Sequence, residues 1–347
     1  MTPREPPVST GRAVGLGLGF LADIVLADPG RWHPVAGFGR LAGRLERGLY
    51  ADDRGRGAAY TAVLVGAVAV TATALERSAR RHPLRQTACT AVATWAVLGG
   101  TGLDREGAAV ARLLDAGDLP AARRRLTHLV GRETTGLDEG GAVRATVESL
   151  AENTSDAVVS PLVLGAVLGV PGLLVHRAVN TLDAMVGHLS PRYARFGWAS
   201  ARLDDLLNIA GARLTAALAA LMARTVGGST REALATWRRD APGHPSPNAG
   251  PVEAAFAGAL GVRLGGVNVY HGVAEDRHAL GRGRPVHAGD VARARALARH
   301  VDVSALAVAV ALTLLSGRRP RRGRRRRRRP SAPGRAAPGG GPPRPGA

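Results

Sequence analysis

The chain has 347 residues and a formal net charge of +20, with 45% hydrophobic and only 3% aromatic residues. It contains no lysine, which excludes a Walker P-loop, a Schiff-base enzyme and a lysine general base. Its single cysteine, Cys89, excludes an internal disulfide and a cysteine-cluster metal site. Ala, Val, Leu and Gly must therefore form the core, and such small residues let helices pack closely in lipid. We predict an all-α, polytopic helical membrane protein with about five transmembrane helices.

Much of the positive charge is concentrated at the C-terminal end. Residues 318–329 are arginines interrupted by one Pro and one Gly, and a Pro/Gly-rich stretch follows them. We expect a disordered basic tail at 318–347 and a flexible N-terminus at 1–12, which flank a helical membrane domain at 13–317. No aromatic residues interleave the arginines for base stacking. The tail therefore favours anionic lipid over nucleic acid and predicts a cytoplasmic C-terminus.

The first apolar run, residues 14–27, contains one acid, Asp23. This acid, and the lack of a clear small-residue cleavage site, argue against a signal peptide. We therefore predict a first membrane helix, in which Asp23 is a functional candidate because acids are costly in lipid. The residues after it, 31–35, have the composition of an interfacial loop. A lone histidine such as His33 in such a loop is more often structural than functional.

Two further apolar stretches, residues 58–75 and 87–103, are long enough to cross a bilayer. The Arg-rich connection between them, residues 76–85, is predicted to be cytoplasmic by the positive-inside rule. Arginines also precede residue 58, and one helix cannot have both flanks on the same side. A re-entrant or interfacial segment in this region remains an alternative.

A polar segment, residues 104–155, has the pattern of soluble helices and ends in a dense group of acids. Glu148, Glu152 and Asp156 are spaced four residues apart, so in a helix they share one face within roughly 80°. Like charges at this spacing repel each other unless a cation such as Mg²⁺ lies between them. The alternative is an acidic helix start, where carboxylates meet the helix dipole favourably.

Two more groups of acids and amides adjoin apolar runs. Asn180 and Asp183 follow the run at 157–175, and Asp204, Asp205 and Asn208 lead into the run at 206–226, which contains Arg213. Separate helix caps would explain each group alone. Three such groups together favour a bundle whose helix ends meet around one acid-lined cavity.

A second soluble segment, residues 227–300, contains a Pro-rich loop with His244, Ser246 and Asn248, followed by Glu253. The prolines predict a rigid, irregular loop that suits ligand contacts, although a structural turn is the alternative. Glycines between 258 and 266 then form a stretch where backbone could approach a phosphate. The last apolar run is 301–315.

These motifs together resemble the CobD/CbiB family of cobalamin biosynthesis, the adenosylcobinamide-phosphate synthases, from about Gly19 to Asp302. The residues that carry the resemblance are Asp28-Pro29 with His33-Pro34-Val35; 148–156 with Pro161; Asn180-Thr181-Leu182-Asp183 with Met185-Val186-Gly187; Asp204-Asp205 with Asn208 and Ala212-Arg213; 244–250; Glu253-Ala254-Ala255 with 258–261; and Leu264-Gly265-Gly266 with Asn268 and Tyr270. The chain has Ala27, Glu133 and Gly211 where the family pattern usually has Gly, Asp and Pro. None of these differences removes a carboxylate.

The resemblance implies a multi-pass enzyme of the cell (inner) membrane. Such an enzyme joins adenosylcobyric acid to aminopropanol or its phosphate in an amide bond and consumes ATP. Its implied partners are these two substrates, membrane lipid and other late corrin-pathway enzymes, but no nucleic acid. Amide formation needs an activated carboxylate, so the expected co-substrate is ATP and the expected cofactor is Mg²⁺.

Candidate roles follow from residue chemistry within this resemblance. Arg213 is a candidate cation for phosphate charge, and His33 or His244 is a candidate base. The catalytic candidates are His33, Glu148, Glu152, Asp183, Asp204, Asp205, Arg213 and His244; the cofactor-binding candidates are Asn153, Asn180, Asn208, Ser246, Asn248, Asn268 and Tyr270; and the metal-ligand candidates are Asp28, Asp156, Asp204, Asp205 and Glu253.

Two other functions are compatible with parts of the sequence. An intramembrane prenyltransferase-like enzyme would hold Mg-diphosphate on the acids at 183 and 204–205. The rigid His-Pro-Ser-Pro-Asn loop argues against it. An ion-coupled transporter would carry acids at mid-helix, whereas most acids here lie at helix ends.

Overall fold

A computed structural model describes residues 8–27, 34–270 and 273–317 of the chain. The candidate residues Asp28 and His33 lie outside the described residues, as do the basic tail from 318 onward and the side chain of Tyr270. The described part is mostly helical, as predicted. The helices are α1 (Val8–Leu26), α2 (Pro34–Leu49), α3 (Arg54–Ala79), α4 (Pro83–Val97), α5 (Gly100–Asp115), α6 (Leu119–Leu126), α7 (Glu139–Thr154), α8 (Ser160–Leu168), α9 (Val170–Leu182), α10 (Trp198–Met222), α11 (Thr230–Asp240), α12 (Ala249–Leu260) and α13 (Gly289–Gly317).

Aspartates begin several of these helices. Asp53 accepts a hydrogen bond from Arg56 N at 2.8 Å at the start of α3, and Asp138 accepts one from Gly141 N at 2.7 Å at the start of α7. Each side chain satisfies a backbone N–H that has no partner within its helix. Local sequence therefore determines where these helices begin.

Four helical segments among the described residues are long and apolar enough to cross a membrane: Val8–Leu26, Arg54–Ala79, Trp198–Val226 and Gly289–Ser316. They indicate a multi-pass membrane protein. The stretch predicted at 87–103 does not form one span, because α4 ends at Val97 and α5 begins at Gly100. The run predicted at 301–315 is the second half of α13, whose first half overlaps the predicted soluble segment.

Small residues let the membrane helix α1 lie close to α4. A Cβ atom on Gly15 of α1 would lie 2.5 Å from Thr90 Cβ of α4, and one on Gly19 would collide with Thr94. Such close approach replaces the contacts that aromatic side chains make in other cores. The main hydrophobic cluster is accordingly built largely from Ala, Val and Leu.

Two π-helical turns interrupt the regular α-helical structure near the predicted acid groups. The first, Ser155–Val159, connects α7 to α8, and the second, Asp183–Gly187, follows α9. The apolar run at 157–175 breaks at Gly169, whose φ of +76° ends α8 before Pro171 enters the first turn of α9.

Two residues of the glycine stretch in which backbone was predicted to approach a phosphate, Gly265 and Gly266, lie in a β-hairpin. Strand β1 (Leu264–Tyr270) pairs antiparallel with β2 (Val273–Leu280) and has a bulge between Gly265 and Val267. Gly265 has a φ of +75°, and a Cβ there would collide with the carbonyl oxygen of His278. The glycines thus permit strand pairing and a bulge next to α7.

Helix α10 depends on a glycine for its approach to α8. A Cβ on Gly211 would lie 2.7 Å from Ser160 Cα and would overlap Ser160 Oγ. We predict that Gly211→Ala lowers the free energy of unfolding by about 1–3 kcal/mol, because the two backbones must separate. Thermal unfolding in detergent measures this. Gly66→Ala on α3, where no atom lies within 4 Å of the new methyl group, is the control and should leave stability equal or slightly higher. Equal stability of the two variants would contradict the prediction.

Candidate active site

Five carboxylates from separate segments line one cavity of about 100 Å³. Glu152 comes from the end of α7, Asp156 and Asp183 from the two π-helical turns, and Asp204 and Asp205 from the first turns of α10. We call this space the carboxylate cavity. The prediction that three separate acid groups meet at one site agrees with this geometry.

The π-helical turns place two of these acids. A π-turn widens the helix locally, and such turns are frequent at functional sites. Asp156 is the second residue of one turn and Asp183 is the first residue of the other. Gly187 ends the second turn, and a Cβ there would lie 2.7 Å from Asp183 Cγ. The glycine therefore leaves room for the Asp183 carboxylate.

Amide side chains orient Asp204. Asn208 Nδ2 donates to Asp204 Oδ2 at 2.9 Å, and Asn180 Nδ2 lies 3.5 Å from Asp204 Oδ1. The buried His176 contacts Asn208 Oδ1 through Nε2 at 2.8 Å. Because that oxygen is an acceptor, His176 Nε2 carries the proton. Asn180 and Asn208, predicted to bind a cofactor, thus contact an acid of the cavity wall.

The Pro-rich loop forms another part of the wall of the carboxylate cavity. Ser246 and Asn248 line the carboxylate cavity. Arg213 Nη1 donates to Asn248 Oδ1 at 2.8 Å, and Asn248 Nδ2 donates to the Asp205 carbonyl oxygen at 2.8 Å. Arg213, predicted to stabilise phosphate charge, does not line the cavity but holds Asn248 in it. These hydrogen bonds connect the loop to α10 beside the cavity.

His244 is oriented by the same loop. Its Nδ1 accepts a hydrogen bond from Ser246 N at 3.1 Å, and its Nε2 is buried without a hydrogen-bond partner among the described residues. Burial, together with the charge of Arg277, lowers the pKa of His244. Neutral His244 therefore presents an N–H at Nε2, which makes it a hydrogen-bond donor in this arrangement.

Glu148 points away from the carboxylate cavity. It accepts a hydrogen bond from Arg132 Nη2 and one of 2.7 Å from Gly265 N. Arg132 Nη1 also donates to Asn268 Oδ1 at 2.5 Å. Of the three acids predicted to share one face, only Glu152 and Asp156 line the cavity. Glu148 instead connects α7 to the hairpin and orients Arg132.

A second, larger space adjoins the carboxylate cavity. It has a volume of about 310 Å³, and its lining includes Arg132, Arg277 and His188. We call it the arginine chamber. Glu152 and Asp183 line both spaces and so form the wall that they share. A space lined by carboxylates and a space lined in part by arginines thus lie next to each other.

Glu253 is buried in α12 with 1% of its surface exposed, and its Oε1 has no hydrogen-bond partner in the part of the chain that the structure describes. Burial raises its pKa well above the usual range, and the charges of Glu148 and Glu152 act in the same direction. The residue was predicted to be a metal ligand. It does not line the carboxylate cavity.

Burial and repulsion by neighbouring acids also raise the pKa values of Asp183 and Asp156. For Asp183, burial and the charges of Asp204, Asp205 and Glu152 raise the pKa to about 7. Asp156 is raised well above its usual range by burial and by Asp204, Glu152 and Asp183. Asp183 therefore titrates near neutral pH, where a proton acceptor is most effective.

The side chains of the described residues contain no group of three or more His, Cys, Asp and Glu already arranged as metal ligands. Mg²⁺ does not require such a group, because it is commonly held by one or two carboxylates together with waters and substrate phosphates. The donor set of the carboxylate cavity consists entirely of oxygen atoms and suits this mode.

One predicted residue, Asn153, lines neither space, and two arginines that line the arginine chamber were not predicted. Asn153, predicted to bind a cofactor, donates within its own helix to Ser149 O at 2.9 Å. Arg132 and Arg277 were missed, because the chain has so many arginines that neither differs from a solvated one in sequence. The near-complete burial of Arg132 separates it from the rest only once the fold is known.

Asp183 predicts a dependence of stability on pH. A carboxyl whose pKa is raised by folding favours its neutral form, so the folded state loses stability as pH rises from the usual value of 3.8 to about 7. We expect the melting temperature in detergent, without divalent cations, to fall less between pH 5 and pH 8 in Asp183→Asn than in the wild type. Asp52→Asn, at an exposed carboxyl, should keep the wild-type profile. Identical profiles for all three proteins would contradict the assignment.

Comparison with known proteins agrees with the sequence motifs. Residues 16–298 match the model of the CobD/Cbib protein family. The chain is 53% identical over 310 residues to a protein named "Cobalamin biosynthesis protein CobD" from Mycobacterium tuberculosis (strain ATCC 25618 / H37Rv), covering 89% of this chain and 97% of that protein.

Relatives from other bacteria extend the match. The Chromobacterium violaceum protein of the same name is 43% identical over 81% of this chain and 90% of its own length, and that of Rhodobacter capsulatus is 42% identical over 77% and 85%. No solved structure matches the chain. The match of the family model and the identity over most of the chain show that the protein belongs to the CobD/CbiB family and takes part in cobalamin biosynthesis.

Proposed function

We propose that the protein is an acid–amine ligase that joins adenosylcobyric acid to aminopropanol or aminopropanol phosphate with consumption of ATP, giving adenosylcobinamide or its phosphate. The observation that carries this proposal is the shared wall between the carboxylate cavity and the arginine chamber. Activation of a carboxylate by ATP needs a place for a metal–phosphate group beside a place for an anionic substrate. Glu152 and Asp183 line both spaces, so the two proposed places would adjoin each other.

The carboxylate cavity is the proposed site for the triphosphate end of ATP with Mg²⁺. Asp204 and Asp205 are the proposed metal ligands, with Asp156 as a further one, because their oxygens face the cavity. Mg²⁺ bound there would neutralise phosphate charge during transfer. The lining is polar apart from Ala249 and Val252, which suits a metal–phosphate group.

The arginine chamber is the proposed site for the propionate arm of the corrin and for the amine. A space of about 310 Å³ holds a side arm and a small amine, so the corrin ring itself remains outside. Arg132 and Arg277 attract carboxylate or phosphate oxygens, and the contact of Arg132 with Glu148 fixes the direction of its guanidinium.

The proposed chemistry has two steps. A propionate oxygen attacks the γ-phosphorus of ATP, which forms an acyl phosphate and releases ADP. The amine nitrogen then attacks the acyl carbon, the C–O bond to phosphate breaks, and the amide forms with release of inorganic phosphate. Asp183 is the proposed acceptor of the amine proton, because it borders both spaces and its pKa is about 7.

An ion-coupled transporter remains the non-enzymatic alternative. Asp302 lies near the middle of α13. A Cβ atom added to Gly100 would lie 3.5 Å from Asp23 Oδ2 and 3.6 Å from Asp302 Oδ2, so the two acids lie near each other. These two acids are separate from the carboxylate cavity. A transporter should depend on Asp302 and Asp23 and make no amide, whereas the ligase should depend on the cavity acids.

We predict that the purified full-length chain in detergent converts adenosylcobyric acid, aminopropanol phosphate and Mg-ATP to the amide, with one ADP formed for each product. Asp204→Asn should lower kcat by at least 100-fold, because a metal ligand is lost. Asp52→Asn, at an exposed carboxyl, should keep wild-type activity. Product and nucleotide are quantified by chromatography. Wild-type turnover with an intact Asp204→Asn variant, or release of AMP, would contradict the assigned site or step.

The metal assignment has a separate test. We expect EDTA to abolish amide formation and Mg²⁺ to restore it. Mg²⁺ with a non-hydrolysable ATP analogue should raise the melting temperature of the wild type but not of Asp204→Asn. Asp276→Asn, at an exposed acid of the hairpin, serves as the matched control. A stabilisation that survives in Asp204→Asn would place the metal elsewhere.

A further inference from the structure

An apolar groove lies on the other side of α9 from the carboxylate cavity. It has a volume of about 350 Å³ and is bordered by α2, α3, α4 and α9. Phe38 and Leu41 of α2 form one wall, and Leu64, Val68 and Leu75 of α3 form another. The proposed ligation uses none of these residues.

The groove faces the position of membrane hydrocarbon. Helix α3 is one of the four candidate spans, and most of it is not buried by the rest of the chain. Val63 and Val70 of this helix are 58% and 71% exposed. A groove along such a helix opens sideways into the acyl region of a bilayer, where an acyl chain can fill it.

Helix α2 has the features of a helix that lies at the membrane surface. It has 16 residues, and one face of it packs on a cluster that includes Tyr60 and Phe196. Its exposed arginines, Arg40, Arg44 and Arg47, are spaced four and three residues apart and so form one stripe. Apolar packing on one face with basic residues on another is typical of interfacial helices.

The charge of this stripe is not neutralised within the described part of the chain. Arg40, Arg44 and Arg47 make no ion pair there, and the single acid of α2, Glu46, accepts hydrogen bonds from Arg192 and Tyr193 instead. Arg44 follows Leu41 of the groove wall by three residues, so basic charge lies at the edge of the groove.

We propose that this groove binds an anionic phospholipid, with one acyl chain between α2 and α3 and the headgroup phosphate on Arg40, Arg44 and Arg47. The groove matches the apolar chain, and the arginine stripe matches the negative headgroup. The headgroup of a zwitterionic lipid also carries a positive charge, which the same arginines repel. The site therefore selects lipids with a net negative charge.

The bound lipid would also support the candidate active site. Cβ atoms added to Gly39 and Gly43 of α2 would lie 3.9 Å and 3.7 Å from the side chain of Met185, so α2 lies against this residue. Met185 belongs to the π-helical turn that begins with Asp183. A lipid that holds α2 in place therefore stabilises the turn that carries one of the shared-wall acids.

The test measures lipid binding and does not depend on the proposed reaction. The full-length chain in a neutral detergent receives phosphatidylglycerol, phosphatidylcholine or inorganic phosphate, and its melting temperature is recorded. Phosphatidylglycerol at a concentration a hundredfold above its dissociation constant should raise the melting temperature by roughly 5 °C, and the other two additives should raise it far less. Native mass spectrometry should show a retained phosphatidylglycerol molecule.

Matched variants assign the site. Arg40→Gln/Arg44→Gln/Arg47→Gln should remove the preference for phosphatidylglycerol, whereas Arg231→Gln/Arg238→Gln/Arg282→Gln, at exposed arginines elsewhere, should keep it. Ala67→Phe fills the groove and should lower retention of the lipid, whereas Ala62→Phe, also exposed on α3 but outside the groove, should not. Equal stabilisation by phosphatidylcholine, equal stabilisation by phosphate alone, or a preference that survives the triple α2 variant would each overturn the proposal.

Discussion

Repulsion among five carboxylates around one small, partly buried cavity is the constraint on which the site depends. Charges of the same sign in a medium of low polarity destabilise the folded chain unless they are protonated or paired with a cation. The chain counters this repulsion with neutral donors, since Asn180 and Asn208 contact Asp204. The missing side chain at Gly211 lets α10 approach Ser160 of α8 closely, which brings Asp204 and Asp205 near the other acids.

Much of the fold and part of the site could be predicted from sequence. Long apolar runs identify the first membrane helix and most of α3, because burial in lipid requires composition and length alone. Acids and amides next to those runs indicate Asp183, Asp204 and Asn208 as candidate site residues, because polar groups at the ends of membrane helices need a partner. The ordered motifs identify the family, which the matches to known relatives confirm.

Other features could not be predicted, because they depend on contacts between distant residues. Glu148 has the same spacing as Glu152 and Asp156, yet Arg132 and the hairpin bind it away from the cavity. The direction of Asp156 follows from a π-helical turn, and helical periodicity assumes that no such turn interrupts the helix. A glycine stretch does not distinguish a phosphate-binding loop from a bulged hairpin, since both need the same backbone freedom.

Burial has two opposite effects on the carboxylate cavity, and together they explain why the acids remain there. It raises the pKa of Asp183 to about 7, so charge on the cavity is costly when no cation is present. The same low polarity strengthens attraction to a cation. In our proposal, Arg132 and Arg277, which line the adjoining arginine chamber, would attract the phosphate or carboxylate that accompanies this cation. A metal ion bound with a phosphate group would then supply the positive charge that offsets the carboxylates. In the proposed ligase, substrate binding and not folding therefore provides the charge balance of the site.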